Sequence, residues 1–183
     1  MQTQRVSRRN GLTRQHYVHK HGWFILQNYQ VRLLAKLIGK SKTVEIGAGL
    51  GELASKVRKQ LTLLNGWSRN YTAFDNFEWG YRGSGVVKKD LKDVRIHKAD
   101  FVVLCWPTYE EPMAYTIANR MRKGQVLIYQ GESEGGCNGC DDFHALLHDE
   151  FEPSLRLWED ALNDGHKQWD GVNDYWWIYR KVK

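Results

Sequence analysis

The chain has 183 residues, of which 42% are hydrophobic and 26% charged, so it suits one domain with a substantial core and leaves no room for a second catalytic domain. Its longest uninterrupted apolar run, residues 101–106, is far shorter than the roughly 20 residues that a membrane-spanning helix needs. Three Cys residues do not make a disulfide framework, and no apolar stretch follows the charged N-terminus. We therefore expect no membrane partner and a reducing, cytoplasmic location.

Positive charge is concentrated at the start of the chain. Residues 1–44 hold nine of the 27 Lys and Arg residues and none of the 21 acids. Because residues 1–20 also lack apolar periodicity, we predict a basic, flexible arm there, followed by a folded domain over residues 21–183. Such an arm could bind nucleic acid or another polyanion, or it could be a solvated tail without a partner.

In chain order, the hydrophobic pattern predicts strands that alternate with helices. Helices are predicted at 28–38, 53–64, 112–122 and 142–151. Strands are predicted at 43–46, 71–74, 86–87, 101–105, 125–130, 154–158 and 175–181. This alternation predicts an α/β fold with a mainly parallel central sheet. Because no helical pattern lies between the last two strands, we expect them to form a C-terminal antiparallel hairpin.

A glycine-rich motif joins the first of these strands to the following helix. It reads V-E-I-G-A-G-L-G over residues 44–51, and glycines at such a turn let a ligand approach the backbone. A dinucleotide-binding loop would place its third glycine at position 52, where this chain has Glu52, whose charge would oppose a pyrophosphate. The spacing is instead G-x-G-x-G, with Glu45 two residues before the first glycine.

This motif resembles the first motif of class I S-adenosylmethionine-dependent methyltransferases, and the resemblance extends over residues 20–183. It implies a single Rossmann-like domain with S-adenosylmethionine as the cofactor. The chain is most similar to small methyltransferase-like proteins that carry an aromatic segment, E-I-G-A-G-x-G, a W-P-P turn and a G-E-x-x-G-G loop. The matching stretches here are Gly22-Trp23-Phe24, residues 45–51, residues 106–109 and residues 131–136.

The resemblance also implies which residues would hold the cofactor. Glu45 would help to position its methionine part, and the loop would pass beneath it. A carboxylate at Asp75 would accept hydrogen bonds from the ribose hydroxyls, while Asp90 would meet the adenine amino group and Leu91 would donate a backbone N–H. The full predicted cofactor-binding set is Glu45, Gly47, Ala48, Gly49, Gly51, Asp75, Asn76, Asp90, Leu91 and Cys105.

Residues 106–109, W-P-T-Y, follow the central strand and resemble a variant of the D/N-P-P-Y/F turn of amino-group methyltransferases. In that turn the first residue accepts a hydrogen bond from the target amine, but Trp106 has only an N–H donor, which disfavours methylation of a base amino group. Tyr109 could stack on a flat acceptor, or both aromatics could be pocket walls. Glu132 is the predicted general base, although it could instead cap the helix that begins near Asp142.

Cys137 and Cys140 form a lone C-x-x-C, which His144 and His148 could complete as a zinc site. We predict two free thiols and no metal. The predicted function is methyl transfer from S-adenosylmethionine to an unidentified acceptor, with nucleic acid favoured over protein or a small molecule. Trp106, Tyr109 and Glu132 are the predicted catalytic residues. The alternatives are a lyase or hydrolase that degrades the cofactor, and a cofactor-binding scaffold without catalysis.

Overall fold

The computed structural model describes residues 3–9 and 11–183. Its helices are α1 (Arg14–His21), α2 (Asn28–Ile38), α3 (Glu52–Asn65), α4 (Met113–Asn119), α5 (Asp141–Glu150) and α6 (Arg156–Asn163). Its strands are β1 (Gln4–Val6), β2 (Arg8–Arg9), β3 (Leu12–Thr13), β4 (Thr43–Ile46), β5 (Tyr71–Asp75), β6 (Val86–Lys88), β7 (Phe101–Cys105), β8 (Val126–Gly131), β9 (Phe151–Pro153), β10 (Lys167–Trp169) and β11 (Tyr175–Lys181).

Seven strands form the central sheet, in the order β6-β5-β4-β7-β8-β11-β9. The first five are parallel, and β11 runs antiparallel to both of its neighbours. The prediction of an α/β fold with a mainly parallel sheet is therefore confirmed. Because β5 and β7 flank β4, the segments that leave the carboxyl ends of these three strands lie side by side.

Helices cover both faces of the sheet and form its core. Helices α2, α3 and α6 pack on one face, around Leu34, Val57, Leu162 and Trp176. Helices α4 and α5 pack on the other, where Ile117 and Phe143 are fully buried. Among the described residues, no helix combines the length and the apolar character that crossing a membrane requires.

The C-terminal antiparallel pair is present, but its first strand and its connection differ from the prediction. Strand β9 pairs with β11 through Tyr179 and Pro153, yet α6 and β10 lie between them in the chain. The predicted strand at 154–158 is wrong, because Leu155 takes a left-handed φ of 52° and the helix begins after it. Alternating apolar residues there imitate a strand, but Leu157 is 86% exposed.

The prediction of a loose arm over residues 1–20 is wrong for the part of that segment that the structure describes. Strand β1 pairs in parallel with β10, with Val6 opposite Trp169, and Tyr17 is buried on α1. A small third core forms here, in which Val6 and Leu12 pack against Tyr17, Trp169 and their neighbours. The three strands before α1 are only two or three residues long, which is too short to show a hydrophobic period.

Candidate functional site

The glycine loop connects β4 to α3 and has an open side. Gly47, Gly49 and Gly51 have positive φ angles of 70°, 51° and 69°, which side-chain-bearing residues rarely adopt. A Cβ added at Gly49 would meet nothing within 4 Å, whereas one added at Gly51 would lie 2.6 Å from a methyl group of Val86. Gly51 is thus needed for packing, and Gly49 marks the open surface of the loop.

Asp75, at the carboxyl end of β5, is bonded directly to that loop. Its Oδ2 accepts the backbone N–H of Gly49 at 2.8 Å, and its Oδ1 accepts the N–H of Phe77 at 2.6 Å. Each carboxylate oxygen keeps a further lone pair for a ligand donor. Next to it, Asn76 is exposed and exchanges two hydrogen bonds with Glu78, so it shapes the turn.

A second glycine-rich segment packs against the loop and was missed at the level of sequence. Gly83 donates its N–H to the carbonyl of Gly49 at 3.1 Å. A Cβ at Gly83 would overlap the carbonyl group of Leu50, so only glycine fits there. The run G-Y-R-G-S-G over residues 80–85 was the available signal.

Asp90 and Leu91 follow β6, the strand next to β5 in the sheet. Asp90 is exposed, and its carbonyl accepts the N–H of Asp93 at 3.0 Å as a short 3-10 helix begins. Leu91 is half-buried, and its carbonyl accepts a hydrogen bond from Arg120 at 2.5 Å. Both residues therefore lie at the same edge of the sheet as Asp75, one strand further out.

Glu45 lies in the core next to the loop. Its side chain is 2% exposed, and its Oε2 accepts a hydrogen bond from the hydroxyl of Tyr71 at 2.8 Å. Burial raises the pKa of Glu45 from 4.5 to about 7. Burial and the nearby Glu45 carboxylate also raise the pKa of the thiol of Cys105, a half-buried residue at the end of β7.

Trp106 follows β7 in a strained conformation. Its φ of 48° is unusual for a bulky residue, and such strain is often found at functional sites. The indole lies nearly parallel to that of Trp23, with 6.0 Å between ring centroids, and the Arg14 guanidinium lies 5.5 Å from the Trp106 ring centroid. Its Nε1–H donates to Asp174 Oδ2 at 3.2 Å, and this hydrogen bond helps to fix the orientation of the ring.

A buried polar cluster surrounds Asp174. Gln130 donates to Asp174 at 2.6 Å, Gln30 donates to His166 Nδ1 at 2.9 Å, and Gln168 donates to the Asp174 carbonyl. A neutral His166 therefore carries its proton on Nε2, which lies 3.6 Å from Asp174 Oδ1. Sequence reasoning missed this cluster, whose only signal is polar residues inside or beside apolar strands.

Glu132 and Tyr109 lie in the loops that follow β8 and β7. The two carboxylate oxygens of Glu132 accept the N–H groups of Asn173 at 2.8 Å and Cys137 at 2.7 Å. Glu132 thus holds loops together, and it does not cap α5, whose N-cap residue is Cys140. Tyr109 is 54% exposed, and the neighbouring Glu110 raises its pKa.

The histidines beside the C-x-x-C are bonded to other groups. His144 Nε2 lies 3.0 Å from the carbonyl oxygen of Asn138, and His148 Nε2 lies 3.3 Å from a carboxylate oxygen of Glu134. Both cysteines are free thiols. Within residues 3–9 and 11–183, no group of three or more His, Cys, Asp or Glu side chains is arranged to hold a metal ion.

No protein-family model matches this sequence, and no curated protein gives a significant match. Solved structures do match. The N-methyltransferase NodS from Bradyrhizobium japonicum WM9 is similar over 85% of this chain and 94% of its own, at 15% identity and a TM-score of 0.53. A TehB-like SAM-dependent methyltransferase from Corynebacterium glutamicum is similar over 91% and 93% of the two chains, at 14% identity and a TM-score of 0.50.

The chain spans only 52% of human N-acetylserotonin methyltransferase, at 12% identity and a TM-score of 0.45. At such identities the likeness establishes the fold alone. The chain has the Rossmann-like fold of class I S-adenosylmethionine-dependent methyltransferases, as the resemblance of its glycine motif predicted.

Proposed function

We propose that this protein binds S-adenosylmethionine and transfers its methyl group to an acceptor. The observation that carries the proposal is that Gly49, on the open face of the loop, donates its backbone N–H to Asp75. This contact lies at the carboxyl ends of the strands, where ligands bind in folds of this kind. When bound, the cofactor would supply a methyl group on a positively charged sulfur.

The hydrogen-bonding groups at this edge support the assignment of the cofactor. Gly47, Ala48 and Gly49 would form the floor under the methionine part, with Glu45 supporting the loop from the core. Asp75, beside Asn76, has lone pairs left for a ribose diol after its two backbone bonds. Exposed Asp90, with the backbone of Leu91, would bind the adenine one strand further out. In this proposal Gly51 and Cys105 complete the cofactor-binding set.

We propose that the acceptor lies against Trp106. The near-parallel indoles of Trp106 and Trp23, with the guanidinium of Arg14, form an aromatic and cationic wall that favours a flat, electron-rich group. Tyr109, which is exposed on the same loop, offers a further stacking surface. This wall supports nucleic acid as the acceptor class, with bases that stack on aromatic side chains.

A second candidate function is cofactor binding without methyl transfer. It is favoured by the engagement of both Glu132 oxygens with backbone N–H groups, which leaves Glu132 poorly suited to be a general base. It is also favoured by Trp106, which cannot accept a hydrogen bond from a target amine.

Calorimetry with S-adenosylmethionine tests the binding step. Replacing Asp75 by Ala removes charge-assisted hydrogen bonds, so we expect affinity to fall by about 1.5–3 kcal/mol, or about 10- to 150-fold. Gly49→Ala places a methyl group in the open space and should also weaken binding. The control is Asp93→Ala, which removes an exposed carboxylate beside the proposed adenine site.

Thermal unfolding of each variant shows whether the fold is retained. If the unaltered protein does not bind S-adenosylmethionine, or binds NAD more tightly, the proposed ligand is wrong. Incubation with methyl-labelled cofactor, followed by mass spectrometry of RNA, protein and small-molecule fractions, then separates the candidate functions. A labelled acceptor supports methyl transfer, cofactor breakdown without an acceptor indicates a lyase or hydrolase, and intact cofactor indicates a binding protein.

A further inference from the structure

The edge of the parallel sheet at which its strands begin and the edge at which they end differ strongly in charge. The segments that lead into β4, β5, β7 and β8 are residues 39–42, 66–70, 94–100 and 120–125. They contain one acid, Asp100, and eight bases: Lys40, Lys42, Arg69, Arg95, Lys98, Arg120, Arg122 and Lys123. The segments that leave the same strands at the opposite edge contain one base, Arg82, and five acids: Glu78, Glu110, Glu111, Glu132 and Glu134.

At the part of the positively charged edge formed by β4, β5 and β7 lies a cleft of about 230 Å³. Four bases line it, namely Lys42, Arg69, Arg95 and Lys98, together with neutral residues that include Thr72. All four basic side chains are exposed. In the part of the chain that the structure describes, none of them forms a salt bridge with a carboxylate.

Asp100, the one acid in these segments, forms no salt bridge with a basic side chain in the described part of the chain. The carboxylate of Asp100 accepts the backbone N–H of Lys42 at 2.8 Å, so it fixes the chain at the start of β4. Close by, Arg120 donates to the carbonyls of Leu91 and Val94 rather than to an acid. Of the eight bases, Arg120 is therefore held at this edge by backbone carbonyls.

The basic segments are also bonded to one another. The side chain of Asn70 donates to the Lys40 carbonyl at 2.6 Å. Gln125 accepts the N–H of Arg122 at 2.5 Å and donates to the carbonyls of Ile96 and Ala99. Since neighbouring strands lie about 4.8 Å apart, the row from β5 to β8 extends over about 14 Å. A single phosphate would occupy only part of such a row, whereas a chain of phosphates would follow it.

We propose that this basic edge binds the phosphate backbone of a nucleic acid. A strand of four or five residues separates it from the glycine loop, a distance of about 15 Å. The site is thus distinct from the proposed cofactor and acceptor sites and does not depend on methyl transfer. It also differs from the N-terminal arm suggested by sequence, where Arg5 donates to the carbonyls of Trp169 and Val172.

The experiment is fluorescence anisotropy of the full chain with a labelled 20-nucleotide RNA at salt concentrations from 50 to 200 mM. The test variant replaces the four cleft residues with Gln: Lys42→Gln, Arg69→Gln, Arg95→Gln and Lys98→Gln. We expect binding at least tenfold weaker at 50 mM salt, with the slope of log K against log salt reduced by about 3, because each lost phosphate contact contributes about 0.7 to 0.9.

A matched control removes the same net charge elsewhere. It replaces four exposed bases outside the cleft with Gln: Arg8→Gln, Lys20→Gln, Arg32→Gln and Lys59→Gln. This variant should keep most of its RNA affinity. An equal loss of RNA affinity in both variants would overturn the proposed site, because it would show that RNA responds to the overall charge of the protein. Binding of inorganic phosphate at the cleft without binding of RNA would overturn the nucleic-acid assignment.

The result of the RNA-binding experiment can be separated from the result of the test of the cofactor site. The cleft variant should bind S-adenosylmethionine as the unaltered protein does, because its substitutions lie at the opposite edge of the sheet. Thermal unfolding checks that both four-residue variants remain folded. RNA binding that persists undiminished in the folded cleft variant would contradict the proposal, whatever the cofactor measurement gives.

Discussion

Glu45 is a carboxylic acid that folding places in the core beside Tyr71, where its charged form is poorly solvated. With a pKa of about 7 in the folded state and 4.5 ordinarily, it takes up a proton on folding between these pH values. Stability from this residue is therefore present at low pH and is lost as pH rises through that interval. The difference corresponds to about 3 kcal/mol.

Replacing Glu45 by Gln should remove this dependence, since a neutral amide can still accept the Tyr71 hydrogen bond. We expect the stability of Glu45→Gln relative to the unaltered protein to rise by up to about 3 kcal/mol between pH 5 and pH 8. Urea unfolding across this range measures it, with exposed Glu152→Gln as the control. A constant difference between the two proteins across that range would show that Glu45 ionises normally.

The places of individual candidate-site residues in the fold were predictable where the chain order fixes them. The positions of Glu45, Gly49 and Asp75 follow from a strand, a turn and the next parallel strand. What the sequence could not show is that Asp75 is bonded to Gly49, or that Gly83 packs against the loop. Those contacts join segments that are distant in sequence and carry no periodic pattern.

Among the elements, α6 is attached to the sheet through polar side chains. The amide of Asn163 donates to the carbonyl of Trp176 at 2.7 Å and accepts its N–H at 2.9 Å, while Glu159 accepts the N–H of Ile178 at 2.7 Å. The predicted strand at 154–158 rested on the alternation of Leu155 and Leu157, and the helical spacing of Trp158 and Leu162 within α6 was missed.

Asn163→Ala should leave two buried backbone groups of Trp176 without partners. We expect a loss of about 2–6 kcal/mol in the free energy of unfolding, because each of the two unsatisfied buried groups costs about 1–3 kcal/mol. Urea unfolding provides the measurement. Asp160→Ala, an exposed change on the same helix, should cost little. A similar small loss in both variants would mean that water replaces the Asn163 bonds.

The N-terminal strand is a second element whose importance the pattern concealed. Deleting residues 1–9 removes β1 and the packing of Val6 against the cluster that holds Trp169, which is 1% exposed. We expect a lower Tm and a red shift of tryptophan emission as water reaches this ring. Arg8→Gln, an exposed change in the same segment, serves as control. Unchanged Tm and emission after the deletion would instead support the prediction that this segment is a loose arm.

At the scale of the whole molecule, alternating strands and helices were enough to predict the α/β class and the mainly parallel sheet. The order of the strands was not predictable, since it depends on which helices cover which face. Nor was the charge difference between the two edges visible, because its eight bases come from four separate segments that only the parallel arrangement of strands brings together.

The pairing of β1 with β10 has a consequence for the order of folding. Residues 4–6 can pair only after residues 167–169 have been made, so an interval separates the synthesis of the two strands. At about 5–20 residues per second, that interval lasts roughly 10–30 s. The strand edge of β8 likewise has no partner until β11 emerges. The wall around Trp106 is thus among the last parts to be completed, and one edge of β8 stays unpaired in the nascent chain until residues 175–180 have been made.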